Sequence, residues 1–138
     1  MKLVVFLSAL ISLGSMSKVS ADEFPNMVGT WEGTSEALIF GNALYYKDNP
    51  SEGITRQSSA HFVINLTHQE GRLFWGTMTS SRITEQWIGA FWNDGASFKA
   101  VDSDGQIVGR MIDKNTMEVI YTQFGSTLIT SHVVFSKK

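Results

Sequence analysis

The strongest constraint in this sequence is its rhythm. From Met27 onward, short runs of Val, Ile, Thr, Phe, Trp and Tyr are broken about every ten residues by turn residues. The first run covers 28–40, and within it Glu32, Thr34 and Glu36 share one face while Trp31, Gly33, Ser35 and Ala37 share the other. Alternation of this kind is the period of a half-buried strand, with the charged face toward water. Further runs follow over 60–68, 73–80, 83–92, 96–102, 106–112, 116–124 and 127–136. Between them stand Gln69-Glu70-Gly71-Arg72, Asn93-Asp94-Gly95, Ser103-Asp104-Gly105, Asp113-Lys114-Asn115 and Gly125-Ser126. Asp-Gly pairs are strong hairpin signals, because glycine takes positive φ without steric cost. Only the first connection, 41–59, is long. Consecutive tight hairpins impose antiparallel pairing of neighbours, and eight strands so paired hide their two edges by closing on themselves. With no helical period of useful length after the first residues, the chain reads as all-β: a single antiparallel up-and-down eight-stranded barrel over 22–138. The alternative is a flattened β-sandwich.

The first 21 residues stand outside that rhythm. Lys2 supplies a positive start, Leu3 to Leu13 is apolar apart from serine, and Val19-Ser20-Ala21 sets small residues at a cleavage position. This is the layout of a secretory signal peptide, and its apolar stretch is short of the roughly 17–25 residues a bilayer requires. Removal of 1–21 takes Lys2 and Lys18 with it. It leaves 117 residues with 9 Lys+Arg against 13 Asp+Glu, so the net charge moves from −2 to −4. That balance gives no electrostatic footprint for nucleic acid, and no membrane partner is expected once the leader is gone. The absence of cysteine excludes a disulfide scaffold, a thiol nucleophile and cysteine-ligated metal. Export without disulfides fits a periplasmic or secreted bacterial protein.

Gly29-Thr30-Trp31 at the start of the first strand resembles the Gly-x-Trp opening of lipocalins and avidin-like proteins. The resemblance in topology covers roughly residues 27–137. It implies an eight-stranded barrel in which Trp31 packs across one end, with the long first connection as a lid over the other. Avidin-like proteins carry Asn two residues and Ser six residues after that Trp, where this chain has Gly33 and Ala37. Biotin recognition therefore lacks its polar partners. The lipocalin Thr-Asp-Tyr signature is absent as well. Phe74-Trp75-Gly76 and Asp102-Ser103-Asp104-Gly105 give the chain the look of small bacterial exported barrels.

An eight-stranded barrel either fills itself with side chains or holds one small ligand. Gly33, Gly76, Gly89 and Gly109 fall inside strands, where glycine marks either a bend or space for another group. Trp31, Trp75 and Trp87 are candidates for an aromatic lining, with ordinary core packing as the other reading. By period two, Trp75 lies with Leu73 and Thr77, and Trp87 lies with Ile83, Glu85 and Gly89. An outward Trp beside Ile88 would instead mark an apolar patch suited to a protein interface. The runs 87–92 and 129–135 are apolar on both faces, which favours self-association as a homodimer. Glu85 is either a solvated surface charge or an interior carboxylate that must be neutralised, paired or met by a cationic ligand.

Catalytic patterns are missing. His61, His68 and His132 form no metal-binding spacing, no Gly-x-Ser-x-Gly elbow activates a serine, and no glycine-rich loop opens a helix. Asp102-Ser103-Asp104-Gly105 opens like a calcium loop but lacks the acidic ligands that would follow, and a hairpin turn explains it. The expectation is thus a non-enzyme with no metal and no cofactor. It would bind a small, largely apolar molecule in the barrel mouth through Trp31, Gly33, Trp75, Glu85 and Trp87, with Tyr45 and Tyr46 on the lid. The alternative is a protein-interaction module, such as a hydrolase inhibitor, that inserts loop 41–59 into a partner.

Overall fold

The computed structural model describes residues 24–43 and 53–138. The leader at 1–21, and Tyr45 and Tyr46 on the first connection, lie outside the described residues. Eight strands follow in order: β1 (Gly29–Phe40), β2 (Ile54–Glu70), β3 (Leu73–Thr79), β4 (Thr84–Phe91), β5 (Ser97–Val101), β6 (Gly105–Asp113), β7 (Thr116–Gln123) and β8 (Leu128–Lys137). Each pairs antiparallel with its neighbour in sequence, and β1 pairs with β8 from Trp31↔Lys137 to Phe40↔Leu128. The sheet is therefore a closed up-and-down barrel and not a flattened sandwich. Closure leaves neither β1 nor β8 as a free edge.

Alternation decides which residues enter the barrel. On β1 the inward set is Trp31, Gly33, Ser35, Ala37 and Ile39, and on β2 it includes Phe62, Ile64 and Leu66. Strand β2 starts at Ile54, earlier than its hydrophobic pattern announces. Its first residues, Ile54 to Gln57, pair with Phe40 to Ala37. The segment is polar and serine-rich, so β1 supplies the backbone partners that its own sequence does not advertise. This shortens the expected loop 41–59, because 54–59 is strand.

A register shift between Leu66 and His68 breaks the alternation of β2. The extra residue turns both Thr67 and His68 outward and brings Gln69 back toward the interior. Gln69 then reaches the residues before β1. Its Oε1 accepts the Met27 N–H at 2.7 Å, and its Nε2 donates to Pro25 O and Gly71 O at 3.0 Å each. Trp31 Nε1 donates to Met27 O at 2.9 Å, and the Lys137 ammonium sits 5.2 Å from the Trp31 ring while donating to Asn26 O at 2.8 Å. Phe24 stacks on Phe91, and the Arg72 guanidinium lies over the Phe24 ring. Residues 24–28 thus plug the end of the barrel where β1 begins, and Trp31 lies across that end with no exposed surface.

Above the plug, the interior is filled by rings. Phe74 lies 5.5–6.0 Å from Trp87, Phe91 and Phe98 in tilted and edge-on arrangements, and Phe98 also meets Trp87 and Phe91. Edge-to-face pairs of this kind add about 0.5–1.5 kcal/mol each beyond the area they bury. Two glycines make the arrangement possible. Phe74 is the cross-strand partner of Gly89 and Phe98 of Gly109, and a Cβ on either glycine would overlap the partner ring. Gly89 and Gly109 accordingly seat phenyl rings and leave no space for a ligand, while a Cβ on Gly76 would run into the β2 backbone at Asn65 and Leu66. Gly33 is a close approach of strands, where a Cβ would stand 2.7 Å from Val133 Cγ1 and from Val134 O.

Candidate functional site

Among the described residues, the opposite end, at the turns after β1, β3, β5 and β7, holds an interior cavity. It is narrow, about 30 Å³, and is walled by Phe62, Ile64, Met78, Trp87, Val119 and Tyr121, with Ser131, Val133 and neighbouring side chains completing it. Space of that size admits a water or a short apolar group, far less than the roughly 300 Å³ of an ordinary ligand pocket. The wall is apolar apart from the Tyr121 and Ser131 hydroxyls, so an apolar group is the better guest.

Tyr121 connects this cavity to a polar rim. Its ring lines the cavity, and its hydroxyl lies 3.0 Å from Asp104 Oδ1 and 3.3 Å from Gln123 Oε1. Asp104 belongs to the β5–β6 turn, where Asp102 Oδ1 accepts the Gly105 N–H at 2.7 Å and the Asp104 N–H at 3.3 Å. Ser103 of the same turn donates its hydroxyl to Glu85 Oε1. The carboxylates of Glu85, Asp102 and Asp104 can place one oxygen each within 4.8 Å of one another. They could receive a cation, yet each contact that gathers them is that of a hairpin turn and its neighbour strand. Asp102 Oδ2 is buried with no hydrogen-bond partner. Burial, helped by the negative charges of Glu85 and Asp104, pushes the Asp102 carboxyl up to about 6 against the pull of the two backbone N–H groups.

The expected site residues are therefore dispersed. Trp87 lines the cavity, and Glu85 stands at its rim, partly buried, on the interior side of β4. Trp31 and Gly33 belong to the plugged half. Trp75 is a correction: it faces outward, stacked on His68 with ring centroids 4.9 Å apart. The three tryptophans do not form one lining, because β3 presents Phe74, Gly76 and Met78 inward. Tyr121, Met78, Ser131 and the Asp102–Asp104 turn are the additions. Tyr121 could have been found from its inward parity with Met117 and Val119 on β7. The start of the first connection folds onto this end, with Ala43 buried and Thr127 Oγ1 donating to Asn42 O at 2.9 Å.

No protein-family model matches the sequence, and no curated protein matches it. Among solved structures, the chain is similar to the S-type phycobiliprotein lyase CPES from Guillardia theta. Identity is 12%, with 81% of this chain and 88% of that chain covered, at a TM-score of 0.32. That neighbour is named a lyase, and the expectation that a barrel without catalytic motifs is no enzyme is left without support. At that TM-score it carries no activity over to this chain. What the chain itself establishes is its architecture: a closed, all-β, eight-stranded up-and-down barrel, plugged at one end and, among the described residues, narrowly open at the other.

Proposed function

We propose that this barrel binds a small amphipathic molecule at its open end. A short apolar group enters the cavity between Trp87, Val119 and Tyr121, and a hydrogen-bond donor on the ligand meets the acidic rim. The observation that carries this reading is the apolar cavity joined through Tyr121 to Asp104. Met78 also lines the cavity, and an unbranched thioether side chain adapts to a guest at low cost. The leader layout of 1–21 supports export, so the ligand is one met in the periplasm or outside the cell. N-terminal sequencing of the protein recovered from the exporting cell checks that part, with Asp22 expected first.

Intrinsic fluorescence tests the binding, because Trp87 is a wall of the cavity. Titration with butylamine, butanol and butyrate is expected to perturb the emission in that order of strength, since the rim accepts hydrogen bonds and repels an anion. Val119→Ile, which fills the cavity without adding polarity, is expected to weaken butylamine binding by at least tenfold. Equal response to all three probes, or an unaltered response in Val119→Ile, would contradict the reading.

A further inference from the structure

A third interior glycine lies under an aromatic ring, and at this position the ring belongs to the cavity. Gly105 opens β6 and shares the inward parity of Ile107 and Gly109. A Cβ on it would overlap Cε2, Cζ and the hydroxyl oxygen of Tyr121. Its φ is not among the positive values that call for glycine, so the missing side chain accommodates the ring and not the backbone. The Tyr121 ring takes the place that an inward side chain on Gly105 would fill, and it walls the cavity there.

Tyr121 is held at both ends. Its backbone pairs with Ile107 on β6 and Ser131 on β8. Its hydroxyl donates to Asp104 Oδ1 at 3.0 Å and lies 3.3 Å from Gln123 Oε1. Asp104 and Gly105 are consecutive residues of one turn, closed by Asp102 Oδ1 accepting the Gly105 N–H at 2.7 Å. That turn supplies both the seat of the ring and the acceptor for its hydroxyl. A phenol so fixed cannot swing aside without giving up a charge-assisted hydrogen bond and its packing on Gly105. Met78, another wall of the cavity, is unbranched and yields more readily. Of the buried residues on β7, Met117, Val119 and Tyr121, the last stands nearest the open end. A guest therefore meets the one wall that does not give as it enters.

We infer that Tyr121 is the specificity-determining residue of this cavity: its ring, fixed between Gly105 and Asp104, narrows the entry so that an unbranched alkyl chain passes and a chain branched at its tip does not. The inference rests on the ligand reading and adds to it the shape of the guest. With a cavity of about 30 Å³, cross-section and not apolar area decides which guest is admitted. Gly105 is the positioning residue that keeps the ring at the entry and out of the cavity.

Intrinsic fluorescence titration with butylamine and neohexylamine tests this. The two share charge and chain length, and neohexylamine carries two further methyl groups near its tip, which apolar burial alone would favour. The wild type is expected to bind butylamine at least tenfold more tightly. In Tyr121→Val that preference is expected to fall below twofold, through a gain in neohexylamine binding. Gly105→Ala drives the ring off its seat and is expected to weaken butylamine binding at least tenfold. Adding Tyr121→Val to Gly105→Ala is expected to restore the affinity of Tyr121→Val alone, a rescue that general damage to the fold would not show. Should Gly105→Ala fail to fold, as read by circular dichroism, Tyr121→Val and Tyr121→Leu decide through the ratio of the two affinities. A folded Gly105→Ala with wild-type affinity, a double variant without rescue, or a Tyr121→Val that keeps the tenfold preference overturns the inference. A wild type that binds both amines equally overturns it and leaves the ligand reading standing, whereas no response to either amine removes both.

Discussion

At the scale of single residues, the most consequential positions are the glycines under the rings and the carboxyl of Asp102. Gly109→Ala forces a Cβ into the Phe98 ring, and overpacking of this kind costs about 1–3 kcal/mol. In a Phe98→Ala background the same change is expected to cost almost nothing. The double-mutant cycle by urea denaturation should therefore show strong non-additivity, and additive costs would mean that the ring does not occupy the glycine. Asp102 makes a pH prediction. Its carboxyl stands at about 6 in the fold against 3.8 ordinarily, so the folded state holds the proton more tightly than the unfolded chain. The stability Asp102 contributes is thus present at low pH and is lost as pH rises from about 4 to about 6. Asp102→Asn keeps the turn's acceptor and removes this loss. The stability of the wild type relative to Asp102→Asn is expected to fall across that window, and a constant difference would contradict the burial of Asp102. Neither feature was fully legible in the sequence. Period two put Gly89 and Trp87 on one face, but whether a glycine faces a void or a ring depends on the neighbouring strand's register. Glu85 kept two readings for the same reason: it shares the inward parity of Trp87 yet sits near the strand end, where inside becomes rim.

At the scale of elements, the plugged end is a device of one bulge and one side chain. The extra residue at Thr67 rotates Gln69 inward, and its amide ties together Met27, Pro25 and the β2–β3 turn. Gln69→Ala leaves the Met27 N–H without that acceptor and is expected to cost about 1–3 kcal/mol, read as a lowered urea midpoint with an unchanged slope. Amide exchange at Met27 should accelerate more than exchange in β6 or β7. The strands after the first connection were readable almost to the residue, because each is bounded by a turn with Asp, Asn or Gly. Strand β2 was not, since Thr55 to Ser59 carries no hydrophobic alternation and becomes strand only through its pairing with β1. Gln69 was hidden by the bulge, which reverses the parity on which any inward assignment depends.

At the scale of the whole molecule, closure by β1–β8 pairing and aromatic filling hold together a barrel without disulfides. Most of the aromatic mass serves that purpose, which is why the interior, among the described residues, offers a narrow cavity toward one end. Trp31 closes the plugged end, as the Gly-x-Trp resemblance implied, and only Trp87 of the proposed tryptophan lining reaches the cavity. The end away from the plug is where the proposed small amphipathic ligand would bind. Side-chain chemical-shift mapping during titration with butylamine tests the ligand reading most directly. The predicted result is perturbation of the Trp87 indole and of methyl groups of Met78, Val119 and Val133, with Ile88 and Val101 on the outer face unmoved. Perturbation confined to the outer face, or none in the cavity at saturating butylamine, would contradict it.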